Sequence, residues 1–279
     1  MTGVPAAGAD GAAAIGPRLG AGREAEVYGR GDAAVVKLYR PGFGGHRAEA
    51  AALRSLGGAG IAPGLLGVTD RDDRTGLVLE RVDGPDMLTL LRRQPWRIWA
   101  LGGALATTHL AVHRGAAPVD LPDLREVLAA RLDDADLAPQ QRGFAARLLD
   151  GLPDGDRLCH GDYHPGNVLL TADRTVVIDW PGAARGVPEA DHARTLLLLR
   201  WADPLPGTPL LVRSLIATGR TLLAHRYTQT YRRGSPPLRQ LDSWLLVHAA
   251  ARLSEGIQAE RARLVGILDR AQRQNVRRP

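Results

Sequence analysis

Cysteine is almost missing from this 279-residue chain: Cys159 stands alone. One thiol closes no internal disulfide and cannot cage a zinc ion, so a reducing cytoplasm is the expected setting. Long apolar runs are missing too. The most apolar stretches, at 195–199, 210–212 and 244–247, are short and broken by arginine or polar residues, so no membrane partner is expected. The first 16 residues have neither a basic start nor a long apolar stretch, which argues against a signal peptide. Aromatic residues make up only 4%, few for stacking nucleobases. Residues 180–279 are basic, with 16 arginines against 7 acidic residues, but only Arg232-Arg233 and Arg277-Arg278 are adjacent there. Charge so spread reads as a solvated surface, and no nucleic-acid partner is expected. The sharpest scarcity is lysine: Lys37 is the only one, and the other 35 basic residues are arginine. In a chain that uses arginine wherever a cation will serve, a single retained lysine points to a site that needs a compact ammonium rather than a planar fork.

What is present is ordinary for a soluble globular protein, 44% hydrophobic and 24% charged. The length exceeds the usual single domain and predicts one two-lobed unit or two small domains. Residues 1–14 are small and flexible and read as a tail. Short strands are predicted at 15–19, 25–28 and 33–38, the first two joined by a glycine-bearing turn at 20–22 and the last two by Arg30-Gly31-Asp32. A helix follows at 46–56, with Ala48, Ala51, Ala52 and Leu56 at helical spacing and glycines at 57–58 to stop it. Two further strands, 65–69 and 76–81, lead to a hinge at 83–86. The remainder, 87–279, reads as mostly helical: 87–93, 96–113, 121–132, 140–149, 189–201, 208–233, 237–255 and 258–273. A β-type island at 157–159, 168–170 and 176–178 interrupts it.

That island carries the chemistry. In His160-Gly161-Asp162-Tyr163-His164-Pro165-Gly166-Asn167, the Pro-Gly pair forbids a regular helix and keeps Asp162 and Asn167 on one compact loop. A hairpin turned at residues 172–174 brings the chain back, so that Asp179 ends near Asn167. Two carboxylates and an amide oxygen then converge, a donor set suited to Mg²⁺. Asn167 and Asp179 would hold metal, leaving Asp162 to face an incoming hydroxyl. Each has an ordinary reading as well: Asp162 as a turn residue, Asn167 at a left-handed position, Asp179 as a helix cap. His109 and His113, four apart, have no acid pair near them in sequence and read as helix-packing residues; Cys159 reads as a small buried hydrophobe.

The segment from His160 to Asn167, with Ile178-Asp179-Trp180 after it, resembles the aminoglycoside phosphotransferase and choline kinase-like family, small-molecule relatives of protein kinases. Gly22-Arg23-Glu24-Ala25-Glu26-Val27-Tyr28 resembles that family's nucleotide loop, although Ala25 stands where a third glycine would come. Ala34-Val35-Val36-Lys37 resembles its lysine-bearing strand, and Leu79 to Gly84 its hinge. The likeness runs from about residue 15 to 200. It implies an α+β, bilobal protein-kinase-like fold: a small β-rich lobe over 15–82 and a larger, mostly helical lobe over 87–279 holding the catalytic and acceptor groups.

The resemblance also implies roles. Lys37 contacts the α- and β-phosphates of ATP or GTP, and Glu49 pairs with it, with Glu24 and Glu26 as rival partners. Gly20 and Gly22 admit backbone amides to the phosphates, and the backbone from Glu80 to Val82 bonds the nucleobase. Mg²⁺ on Asn167 and Asp179 bridges the phosphates, while Asp162 orients the acceptor hydroxyl and takes its proton. His160 anchors the loop, Asp191 braces it from the next helix, and His164 is a polar neighbour. The activity implied is transfer of a γ-phosphate to a hydroxyl of a small molecule: an antibiotic, a sugar or an amino alcohol. Asp242, Trp244 and Glu255 are expected to line the acceptor pocket. Because residues 180–279 are basic, a neutral or weakly charged acceptor is expected before a polycationic aminoglycoside. A nucleotide-binding pseudokinase is one rival. A protein kinase is another, disfavoured by the missing Asp-Phe-Gly triplet and by the short run from Asp179 to the next helix. Monomer and dimer stay equally open.

Overall fold

The computed structural model of the chain describes residues 15–201 and 210–276, so the tail expected at 1–14 lies outside the described residues. The N-terminal lobe is a five-stranded antiparallel sheet, β1 (Arg18–Ala21), β2 (Ala25–Arg30), β3 (Ala34–Tyr39), β4 (Leu65–Arg71) and β5 (Arg74–Glu80), in the order β1-β2-β3-β5-β4. Helix α1 (His46–Ser55) packs on one face through its buried Ala50, Ala51, Ala52 and Leu53. Strand β3 shows why the lysine ends where it does. Val36 and Leu38 pack with Val78 in a small cluster on one face, which leaves Lys37 and Tyr39 on the other, towards α1. Pairing of Lys37 with Val27 and with Leu77 fixes the register; a slip by one residue would turn the ammonium to the wrong face.

The C-terminal lobe is built around α6 (Pro188–Trp201), in which Ala190 to Leu197 are all buried. A helix so enclosed has no polar face to show water, and it takes neighbours on all sides. Around it lie α3 (Ile98–Val112), α7 (Leu210–Gly234) and α8 (Leu241–Ala251), with α4 (Leu124–Asp134), α5 (Pro139–Asp150) and α9 (Gln258–Val276) further out. Two small ribbons frame the loop of interest: β6 (Arg157–Cys159) with β9 (Ala184–Gly186), and β7 (Val168–Leu170) with β8 (Thr175–Val177). Among the described residues no helix is long and apolar enough to cross a membrane.

Between the lobes, α2 (Met87–Arg93) starts at Asp86, whose carboxylate accepts from Thr89 N at 2.8 Å. The connection is pinned to the β7–β8 ribbon: Leu170 N donates to Pro85 O at 3.0 Å, and a Cβ on Gly84 would stand 2.4 Å from Leu170 O. Glu80 closes the same seam from the sheet side through an ion pair with Arg174.

The sequence predicted one helix over 237–255. The chain instead ends α8 at Ala251, tightens into a 3₁₀ turn over Arg252–Glu255, and stops at Gly256 with φ 69°. Strand β9 was not predicted, since Ala-Arg-Gly carries no β signature; Gly186 is needed there because a Cβ would lie 2.8 Å from Leu124.

Candidate active site

The loop after β6 is held by its backbone. Gly161 has φ 79°, and a Cβ on it would lie 2.2 Å from Gly182 O, so only glycine fits. Asp191, near the start of α6 and buried, accepts from His160 N at 2.7 Å and from Gly161 N at 2.9 Å. His109 Nε2 and His113 Nε2 lie 3.0 and 3.1 Å from the same carboxylate, and their Nδ1 atoms each lie 2.7 Å from the hydroxyls of Tyr227 and Tyr231. In both rings Nε2 faces the carboxylate and Nδ1 faces a tyrosine hydroxyl, so neither nitrogen lacks a partner. Burial pushes the Asp191 carboxyl up, but the hydrogen bonds of the two histidines outweigh it and hold it well below the usual range. The acid these histidines lack in local sequence therefore arrives from α6. With every nitrogen engaged, the trio reads as a brace rather than a metal cage. His160 is equally satisfied: Nε2 lies 3.1 Å from Ile178 O and Nδ1 accepts from Asp162 N at 3.2 Å.

Beyond it, Pro165–Asn167 forms a 3₁₀ turn and Asn167 O accepts from Ile178 N at 3.0 Å, which sets the two ends of the ribbon side by side. Asn167 Nδ2 donates to Asp162 O at 3.0 Å, while its Oδ1 accepts no hydrogen bond within the described chain. Asp179 is one of three non-glycine residues with positive φ among the described residues, at 68°, a strained backbone of the sort that functional sites retain. Its Oδ1 lies 2.6 Å from Lys37 Nζ. Lys37 Nζ is also 2.6 Å from Glu49 Oε2. The rival acids are engaged elsewhere, Glu26 with Arg74 at 3.0 Å and Glu24 with Arg23 at 3.7 Å. Tyr39 donates its hydroxyl to Glu49, and Trp180 N donates to Glu49 Oε1 at 3.3 Å. Burial lowers the basicity of Lys37, yet the charges of Glu49 and Asp179 raise it further, so the ammonium stays protonated.

Asp162 projects from the loop with 45% of its side chain exposed. Burial of its carboxyl pushes the pKa up; the His164 imidazole, 3.6 Å away, and the Arg194 charge overcome that and leave it well below the ordinary carboxylate range. Arg194 Nη2 stands 3.5 Å from Asp162 Oδ1 and 2.7 Å from Glu255 Oε1.

A cleft of about 1320 Å³ lies between the lobes, and Asn167, which is buried, stands behind its lining rather than in it. Gly20, Gly22, Lys37, Glu49, Asp162 and Asp179 all line it. So do Glu80 and Val82, but on different terms. The Glu80 and Arg81 amides are spent on Gly64 O at 2.8 Å and Ala33 O at 2.9 Å. Of the three amides from Glu80 to Val82, that leaves Val82 N–H without a partner in the described chain, while the Glu80 side chain also closes the Arg174 seam.

Two acceptor-pocket expectations need correction. Trp244 is fully buried in the core of the C-terminal lobe; its spacing served helix packing. Asp242 is exposed near the start of α8 and outside the cleft, ten residues and about 15 Å of helix rise from the turn that enters it. Glu255, on that turn, does line the cleft. Three cleft residues were missed: Arg131 on α4, Arg194 on α6 and Arg252 beside Glu255. No sequence signal separated them from the other arginines.

Residues 16–227 match the phosphotransferase enzyme family. No match is found among curated protein sequences. Among solved structures, a thermostable mutant of the aminoglycoside phosphotransferase APH(4)-Ia is 18% identical with TM-score 0.63, the match covering 93% of this chain and 94% of that one. Amicoumacin kinase hAmiN, in complex with AMP-PNP, Ca²⁺ and Ami, is 16% identical with TM-score 0.62, over 89% and 85% of the two chains. A choline/ethanolamine kinase family protein from Mesorhizobium loti is 16% identical with TM-score 0.58, over 94% and 88%. The shared architecture is the bilobal α+β fold expected from the motifs.

Proposed function

The chain belongs to the phosphotransferase enzyme family, and from that membership and the cleft geometry we propose that this small-molecule kinase moves the γ-phosphoryl group of ATP to a hydroxyl of a small acceptor. The observation that carries the reading is Lys37 Nζ, 2.6 Å from both Glu49 and Asp179. A compact cation is thereby fixed at the cleft wall, between the glycine-bearing β1–β2 turn and the ribbon, where it meets the α- and β-phosphates. The similarity to hAmiN, whose solved complex holds AMP-PNP and Ca²⁺, supports a nucleoside triphosphate and a divalent cation as the ligands here too.

The donor set fits a hard cation. Asn167 Oδ1 is unbonded, Asp179 keeps one oxygen clear of Lys37, and both are hard oxygen ligands. When bound on them, Mg²⁺ supplies charge neutralisation for the phosphate oxygens. The rest of the reaction falls to the chain. Val82 N–H receives the nucleobase edge, and Gly20 and Gly22 let the strand turn close over the phosphates. Asp162, ionised and partly exposed, accepts a hydrogen bond from the acceptor hydroxyl and aligns its oxygen with the γ-phosphorus. The new P–O bond forms as the bond to the β-phosphate oxygen breaks. The hydroxyl proton passes to Asp162 late in the step, as suits a weak base in a loose transition state, and ADP departs.

The test is a titration of the full chain with AMP-PNP and Mg²⁺, followed by incubation with ATP and a pool of hydroxylated metabolites and antibiotics, with mass spectrometry for a phosphorylated product. Nucleotide binding with ADP release and one new phosphomonoester is expected. Binding without turnover would mark a pseudokinase, and label appearing only on protein side chains would mark a protein kinase.

A further inference from the structure

The acceptor side of the cleft, formed by α4, α6 and the 3₁₀ turn after α8, is walled by arginine. Its carboxylates are already occupied. Glu255 accepts from Arg194 at 2.7 Å and from Arg252 at 3.0 Å, and Glu260 is paired with the buried guanidinium of Arg252. Asp162, the remaining acid on this side, is reserved for the reacting hydroxyl. An ammonium group of an incoming acceptor would therefore find no vacant carboxylate on these elements and would have to displace a buried arginine.

Arg131 is the opposite case. It projects from α4 into the cleft, half-buried, and makes no hydrogen bond or ion pair with any described residue. It lies within electrostatic reach of Arg194 and of three carboxylates, Glu255, Asp162 and Glu24, none of which it bonds. Burial and the Arg194 charge outweigh the pull of those carboxylates and work against its protonated form, so a direct oxyanion partner would stabilise it. A planar guanidinium with five donors and no hydrogen-bond partner among the described residues matches one class of ligand group, an oxyanion that accepts two parallel hydrogen bonds.

On the phosphotransferase reading, we propose that the acceptor carries an oxyanion, a carboxylate or a phosphate, which Arg131 binds while the acceptor's hydroxyl sits on Asp162. Arg131 is thus a specificity-determining residue. This reaches beyond the expectation of a neutral acceptor drawn from the charge split, because it rests on which groups in the cleft are paired and which one is not.

The experiment uses four probes on one carbon skeleton: glucose, glucosamine, gluconate and glucose 6-phosphate. Each is titrated calorimetrically into full-length protein saturated with AMP-PNP and Mg²⁺, so that the phosphate subsites are already filled. Gluconate or glucose 6-phosphate is expected to bind at least 10-fold more tightly than glucose or glucosamine, and whichever wins names the oxyanion. Arg131→Gln should then lower that affinity by about 10- to 100-fold, the span of a charge-assisted hydrogen bond pair, and Arg131→Lys should recover part of it. Tightest binding of glucosamine, indistinguishable affinities for all four, or anion binding untouched by Arg131→Gln each overturns the proposal. If Arg131→Gln weakens AMP-PNP instead of the anion, Arg131 serves the nucleotide and the proposal fails. Failure of AMP-PNP to bind the unaltered protein would count against the phosphotransferase reading itself, a distinct result.

Discussion

At the scale of single residues, the chain uses its one lysine where no arginine can stand. Two carboxylates at 2.6 Å from one nitrogen require a compact charge, and a guanidinium spreads its donors over a plane too broad for the gap. Lys37→Arg and Lys37→Ala should therefore each lose affinity for AMP-PNP by at least ~10-fold in a direct binding titration; full affinity in the arginine variant would refute this view of the site. Asp162→Asn keeps the shape of the side chain but removes the carboxylate proposed to take the proton. It should lower kcat by roughly 10²–10⁴ while leaving AMP-PNP binding within about 2-fold, read by steady-state kinetics and titration. Lys37 and Asp162 were legible in the sequence because each broke a background, one a composition without lysine and the other a loop that Pro165-Gly166 kept out of helix. Arg131, Arg194 and Arg252 were not legible, because 35 arginines leave no contrast in which a functional one stands out.

At the scale of elements, α6 is the part on which the site's geometry depends. Its Asp191 gathers four donors, two backbone amides of the catalytic loop and two imidazoles from α3. Asp191→Ala would leave all four buried and unpaired, and should destabilise the protein by about 3–5 kcal/mol in urea denaturation. A loss below about 1 kcal/mol would show that the brace is ornamental. Elements with strong periodicity were read correctly to within a few residues, as with the 46–56 helix realised as His46–Ser55. The misses share a cause: β9 and the turn after α8 are set by what packs beside them, Leu124 against Gly186 and the cleft arginines against Glu255. Trp244 was misplaced for the same reason, since spacing along α8 does not say whether a face meets the core or a cleft.

At the scale of the whole molecule, the buried imidazoles couple stability to pH. Burial first, and then the neighbouring charges of His113 for His109 and Arg194 for His248, push both rings down to about 3 from 6.5. Above pH 6.5 both are neutral folded or unfolded. As pH falls below 6.5 the unfolded chain binds protons that the folded one refuses, so stability declines from there toward pH 3. At pH 5 each ring costs about 2 kcal/mol, and the melting midpoint should drop by ~5–10 °C between pH 7 and 5. Asp162 and Asp191, with carboxyls held low, add their own loss only as pH falls below the usual carboxylate range. A flat midpoint from pH 7 to 5 would contradict the neutral, buried rings. The cleft between the lobes joins these scales, since Lys37, Asp179 and Asp162 all line it and the proposed reaction sets the nucleotide on the first two and the acceptor on the third. Incubation of the purified chain with γ-labelled ATP, Mg²⁺ and a pool of small hydroxyl compounds tests that arrangement most directly. Label should pass to a small molecule with the unaltered protein and stay on ATP with Asp162→Asn, although both bind AMP-PNP; equal transfer by the two proteins would contradict the account.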